Sequence, residues 1–205
     1  MKESEISINC HSSICIKYNN KVIYIDPFKI EKPTKDADYI FITHSHYDHL
    51  SLEDINKVCN ENTKYIIPES EIDKLETNNI LGVLPNNKYT IDDIEFQTIP
   101  SYNTLKPFHK KSNNWVGYLL NLDKTIYIAG DTDINEDIKK VKCDIALVPI
   151  GGTFTMNYKE AAELVNIIKP KIAIPIHYGT IVGNIEDGNK FASLVDENIE
   201  VKTLI

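Results

Sequence analysis

The segment Thr43-His44-Ser45-His46-Tyr47-Asp48-His49 gathers three of the six histidines of the chain and one aspartate at a single point. It follows directly on the apolar run Tyr39-Ile40-Phe41-Ile42. On an extended segment, residues two apart face the same side, so His44 and His46 can grip one ion together. Asp48 and His49 need a turn to join them. Ser51, a good helix N-cap, places such a turn before a helix, so that Asp48 and His49 could hold a second ion close to the first. Imidazole and carboxylate donors suit zinc, iron or manganese. The plain alternative is a solvated loop that happens to be histidine-rich. Packing gives no reason for three imidazoles and a carboxylate at one strand end.

Two ions need more ligands than one loop offers. Asp131 follows the strand-like run Ile126-Tyr127-Ile128-Ala129-Gly130, and a carboxylate there could bridge two ions. Gly130 lets the backbone come close. His177 follows Ile172–Ile176, again at a strand end, and His109 lies in a polar loop. Taken singly, each has an ordinary reading. Asp131 could cap a helix before Ile134, and His177 could be a satisfied core histidine.

The elements that must position these groups read as a mixed α/β chain. Strands are expected at Ser7–Ile16, Lys21–Ile25, Tyr39–Thr43, Lys64–Ile67, Ile94–Ile99, Trp115–Leu122, Thr125–Ala129, Ile145–Ile150, Ile172–Ile176 and Ile199–Leu204, rich in Ile, Val, Tyr and Thr. Helices are expected at Leu52–Cys59, Tyr158–Ile168 and Ile185–Val195, with a weaker candidate at Glu69–Glu76. Ser101–Asn114 is a long polar loop carrying three lysines, and such a loop in a compact domain is often functional. A length of 205 residues with 42% hydrophobic and 25% charged content suits one globular domain over 1–205, its sheets packed on each other and its helices outside.

A net charge of −8 argues against the broad basic face of most nucleic-acid binders. No run of about 18 apolar residues suggests a membrane span. Met-Lys-Glu-Ser-Glu-Ile at the start lacks the apolar region of a signal peptide. The expectation is therefore a cytoplasmic protein. Cys10, Cys15, Cys59 and Cys143 form no C-x-x-C pair and read as reduced thiols.

Three blocks in order, His44-x-His46-x-Asp48-His49, Gly130-Asp131-Thr132 and Pro175-Ile176-His177-Tyr178-Gly179, resemble the metallo-β-lactamase superfamily over nearly the whole chain. His11-Ser12-Ser13 and Tyr24-Ile25-Asp26-Pro27 look like its small stand-alone hydrolases of the L-ascorbate-6-phosphate lactonase type. The resemblance implies an α/β fold, a four-layer αββα sandwich with the metal centre at one edge between the sheets. It places Asp26 beneath the centre, orienting a ligand, and His11 near its mouth. The family's third first-site histidine, expected after Ile94–Ile99, falls at Asn103; His109 is the nearest imidazole, and either could complete the site.

The implied ligand set is His44, His46 and His109 for the first ion and Asp48, His49 and His177 for the second, with Asp131 bridging. The ions would be two divalent metals, with zinc the leading choice and manganese or iron as alternatives. Asp48 and Asp131 would be the catalytic carboxylates. The implied activity is a metal-dependent hydrolase that uses a metal-bound hydroxide on a small substrate. Two divalent ions less two carboxylates and a hydroxide leave the site at about +1, which favours an anionic phosphoester, lactone or amide. Lys106, Lys110 and Lys111 would add to this if they face the site, and are otherwise solvated loop charge. Gly151-Gly152-Thr153 could line the pocket or form a simple turn. A nuclease of the same superfamily, a di-iron redox enzyme and a non-catalytic metal-binding or sensor protein are the competing readings. Small-molecule partners are expected, without nucleic acid or membrane; self-association into a homo-oligomer is left open.

Overall fold

The computed structural model describes residues 4–205, so residues 1–3, part of the leaderless reading, lie outside the described residues. The chain divides into two compact units, Met1–Leu84 and Pro85–Ile205.

The first unit is one six-stranded sheet in the order β1-β2-β3-β4-β5-β6. The strands are β1 Glu5–Cys10, β2 Ser13–Tyr18, β3 Lys21–Ile25, β4 Ala37–Phe41, β5 Cys59–Pro68 and β6 Ile80–Val83. The first three run antiparallel, and β3 to β6 are parallel. Residues 7–16, expected as one strand, form a hairpin instead. His11 takes a left-handed backbone (φ 57°) and breaks the run. Hydrophobicity alone does not register such a break, because the residues on both sides still alternate. Helix α1, Leu52–Val58, starts where Ser51 accepts the Asp54 amide, and its Ile55 and Val58 pack with Ile40, Ile42 and Ile67 in the core. Residues 69–74 form a 3₁₀ turn where a weak helix was expected.

The second unit is a seven-stranded sheet in the order β13-β12-β11-β10-β9-β8-β7. Its strands are β7 Lys88–Ile91, β8 Ile94–Pro100, β9 Val116–Asn121, β10 Thr125–Ile128, β11 Ile145–Pro149, β12 Ile172–Ile176 and β13 Glu200–Val201. Strands β7 to β10 are antiparallel and β10 to β13 parallel. Helix α2, Tyr158–Ile168, begins on a capping box between Asn157 and Glu160. It buries Ala161, Leu164, Val165 and Ile168 against Val148, Tyr127 and Ala173. Helix α3 is Asp187–Ala192. Strands β6 and β7 escape sequence reading because each is a short edge strand, half-buried and bounded by turns. All four cysteines are free thiols, and among the described residues no helix is long and apolar enough to cross a membrane.

Asp144 pins the start of the β10–β11 parallel pair. Its Oδ2 accepts the Thr125 amide and hydroxyl, both at 2.9 Å, and its Oδ1 lies 2.8 Å from the Lys171 ammonium. The Lys171 ammonium, then the Thr125 amide and hydroxyl, hold this carboxyl down to about 2. An unfolded aspartate titrates near pH 4. The folded value is lower, so the stabilisation is present above about pH 4 and disappears as pH falls towards 2. Asp144→Ala is expected to cost about 1–2 kcal/mol at pH 7 and distinctly less at pH 2.5, read by urea unfolding. An equal loss at both pH values would count against this assignment.

Candidate metal centre

In both units the switch from antiparallel to parallel pairing sets several strands to end side by side, and open α/β sheets bind ligands at such carboxyl ends. In the first unit, Asp26 follows β3 and Thr43-His44 follows β4. Asp26 is buried in a left-handed conformation (φ 48°), and its amide donates to the Phe41 carbonyl at 3.0 Å. A non-glycine residue held there costs of order 1 kcal/mol and points to a position fixed by its surroundings. Its carboxylate accepts the Thr43 amide at 2.8 Å, the Thr43 hydroxyl at 2.6 Å and His49 Nδ1 at 2.7 Å. Burial pushes the Asp26 carboxyl up, while His49 and the Thr43 donors pull it back.

These bonds settle two tautomers. A carboxylate only accepts, so His49 donates from Nδ1 and carries its lone pair on Nε2. The Thr43 hydroxyl proton is spent on Asp26. Its oxygen can therefore only accept from His44 Nδ1, 3.0 Å away, which leaves the His44 lone pair also on Nε2. One buried carboxylate thus orients two imidazoles, the second through a threonine.

The turn after β4 then delivers the remaining groups. The His49 and Leu50 amides both donate to the His46 carbonyl, which swings Asp48 and His49 round. His44 Nε2 lies 3.0 Å from His46 Nδ1. His11 Nε2 lies 3.3 Å from Asp48 Oδ2, and His49 Nε2 3.8 Å from the same oxygen. The expectation for His11 needs correcting, because it is fully buried rather than at a mouth. The β1–β2 turn carries it inward, and Ser13 Oγ accepts the Phe28 amide at 3.0 Å to tie that turn to the segment after Asp26.

In the second unit, Asp131 follows β10 and His177 follows β12. Gly130 (φ 64°) and His177 (φ 60°) both adopt the left-handed region that bends the chain out of its strand. Asp131 Oδ2 lies 3.2 Å from His109 Nε2 and 3.1 Å from His177 Nε2. All three residues are buried. The loop 101–114 is stitched to this edge. Ser101 Oγ donates to the Asp131 carbonyl at 2.8 Å, and the Thr132 hydroxyl to the Tyr102 carbonyl at 3.0 Å. Asn103 receives both the amide and Nδ1 of His109 on its Oδ1, each at 2.9 Å. Gly151, after β11, permits the close approach of His177: an added Cβ would stand 2.4 Å from the His177 carbonyl oxygen and 2.9 Å from its Nδ1.

The donor chemistry fits a divalent ion. Two ligands at 2.0–2.1 Å from a tetrahedral zinc stand roughly 3.3 Å apart. The His11–Asp48, His109–Asp131 and His177–Asp131 separations of 3.3, 3.2 and 3.1 Å sit close to that spacing.

The Beta-lactamase superfamily domain profile matches residues 5–177 of the chain. A UPF0173 metal-dependent hydrolase of Pyrococcus furiosus is 30% identical over 212 residues, covering 95% of this chain and 93% of the relative. One from Staphylococcus saprophyticus is 32% identical over 217 residues, covering 93% of each. The chain belongs to the UPF0173 metal-dependent hydrolases of the β-lactamase superfamily. A crystal structure from Parabacteroides distasonis matches with a TM-score of 0.85 at 31% identity, covering 98% of this chain and 93% of that one.

The fold class is therefore the α/β, metallo-β-lactamase type that the sequence resemblance implied. Within this UPF0173 member, the first unit holds His44, His46, Asp48 and His49, and the second holds His109, Asp131 and His177. All seven residues, and His11 with them, belong to groups of His and Asp side chains that could hold a metal ion. Two of the three loop lysines are engaged elsewhere. Lys106 is bound to Asp133 and to the Thr155 carbonyl, and Lys111 to Asp137 and the Tyr102 hydroxyl. Gly152 and Thr153 form a turn closed by the Gly152 amide on the Met156 carbonyl. Sequence reading overlooked Thr43, whose signal was its place directly before His44 at the strand end.

Proposed function

We propose that this UPF0173 protein hydrolyses a small anionic substrate, a phosphoester, lactone or amide, at a centre of two divalent ions, with zinc the best-suited metal. His44, His46 and His109 would hold one ion, Asp48, His49 and His177 the other, and Asp131 would serve both. His11 joins the set as a neighbour of Asp48. The observation that carries the reading is the tautomer control: Asp26 and Thr43 turn the lone pairs of His49 and His44 away from the protein framework and towards other ligand groups. A purely structural histidine cluster has no need of that orientation.

When bound, such ions lower the pKa of a water from 15.7 to near 7 and stabilise the oxyanion that develops on attack. The chain's own residues hold and aim. Asp131 sets one oxygen within 3.2 Å of the Nε2 atoms of both His109 and His177, and Asp48 would help to position the nucleophile. Substrate charge preference is attributed to the ions rather than to the loop, because Lys106 and Lys111 are committed to Asp133 and Asp137. The acidic chain, at net −8, supports a small-molecule partner over nucleic acid.

The test is metal removal. Stripped protein is expected to lose at least about 100-fold in turnover on its best substrate among phosphodiester, lactone and β-lactam probes, and to regain it with zinc or manganese. No turnover on any class after reloading would favour a metal-binding sensor.

A further inference from the structure

We propose that Asn103 is the positioning residue of His109: its carboxamide fixes the tautomer of that ring and turns Nε2 towards Asp131. The inference rests on the reading that His109 holds metal. Asn103 and His109 are both buried and are joined by three hydrogen bonds. The Asn103 amide donates to the His109 carbonyl at 2.7 Å, and Asn103 Oδ1 accepts His109 N and Nδ1, each at 2.9 Å.

The direction of the carboxamide is forced. Its Nδ2 donates to the Phe154 carbonyl at 2.9 Å, so its oxygen must face His109. The reverse orientation would set an NH₂ group against the His109 amide and a carbonyl against a carbonyl, leaving buried groups mismatched. An oxygen there can only accept, so His109 Nδ1 carries a proton, and Nε2 is the nitrogen left to face a metal ion. Nε2 is the atom 3.2 Å from Asp131. The ring's other contact, edge-on to Trp115 at 5.8 Å between centroids, limits its rotation.

The same bonds rule Asn103 out as a ligand itself. Its oxygen already takes two donors, and its nitrogen is used on Phe154. A neutral amide is also a poor ligand for these ions but a good partner for an imidazole N–H. The residue at the place expected for a histidine has become the support for one six positions later.

The experiment compares full-length Asn103→Ala, Asn103→Asp and His109→Ala with the parent. The first readout is the ¹⁵N shifts of the His109 ring without metal. The second is affinity for zinc alone, by chelator competition. The parent should show the Nδ1–H tautomer. Asn103→Ala should shift the ring towards Nε2–H and weaken zinc about 10–100-fold. Asn103→Asp, which keeps an acceptor for Nδ1–H, should bind zinc within a few-fold of the parent. A parental tautomer and affinity in Asn103→Ala, or an equal loss in both Asn103 variants, overturns the proposal. Unchanged affinity in His109→Ala overturns instead the reading that His109 is a ligand; that failure is visible separately, because the tautomer readout does not depend on metal.

Discussion

Asp131→Ala is expected to lose about 10³-fold or more in kcat/KM and to lower bound metal in elemental analysis. The reason is its double engagement. One buried oxygen lies 3.2 Å from His109 Nε2 and 3.1 Å from His177 Nε2, so removing it takes a negative charge from both imidazoles together. Losing an outer partner of a ligand costs about 10–100-fold. Losing a group that stands against two imidazoles at once should cost more, and 10³-fold corresponds to roughly 4 kcal/mol. Asp131→Asn should behave almost as badly, since the amide keeps the shape without the charge. The backbone of Asp131 is held independently, by Ser101 Oγ on its carbonyl, so the variant should still fold. Metal content and turnover both at parental level in Asp131→Ala would sink the assignment of His109, Asp131 and His177 to a metal centre. His177→Ala combined with Asp131→Ala should add little to the loss, because residues acting as a unit are not additive.

Asp26→Ala is expected to be the most destabilising single change in the first unit, at about 3–5 kcal/mol in urea unfolding of the metal-free protein. Three donors, the Thr43 amide, the Thr43 hydroxyl and His49 Nδ1, would be left buried without their acceptor. Breaking a buried charged network by removing one partner costs on this scale, and that is a large part of a typical total of about 5–15 kcal/mol. Asp26→Asn separates stability from function. Asparagine tolerates the left-handed backbone (φ 48°) and keeps the size. Its NH₂ cannot accept the His49 proton, so His49 must change tautomer or turn. The protein should remain folded while zinc affinity falls about 10–100-fold. Parental affinity in Asp26→Asn would mean that Asp26 supports the fold and does not orient His49.

Most of the candidate ligand groups are legible in the sequence, because donor chemistry is a matter of residue type at strand ends. The His44–His49 cluster announced itself by composition, and Asp131 and His177 by following apolar runs. The helix at Tyr158–Ile168 was legible in full, since its apolar period and Pro170 bracket it. What sequence obscured was local backbone conformation. Residues 7–16 look like one strand because their alternation continues through the turn, and only the left-handed backbone of His11 divides them. The consequence is that His11 becomes a buried neighbour of Asp48. The short edge strands β6 and β7 lacked a signal because half-buried edge residues need no strong pattern.

By itself, then, the sequence determined a mixed α/β chain and the donor types, which follow from periodicity and from residue identity at strand ends, while the family and its αββα fold came from the resemblance of three motif blocks. The tertiary structure alone decided how those donors are aimed. Hydrogen-bond direction depends on which polar atoms meet across the fold. Asp26 meets Thr43 and His49 from 17 and 23 positions away, and the Phe154 carbonyl meets Asn103 from 51 away. No spacing rule encodes such meetings, because they arise only once the strands have paired. They set which nitrogen of His44, His49 and His109 donates to the surrounding framework, and so which nitrogen each ring turns the other way.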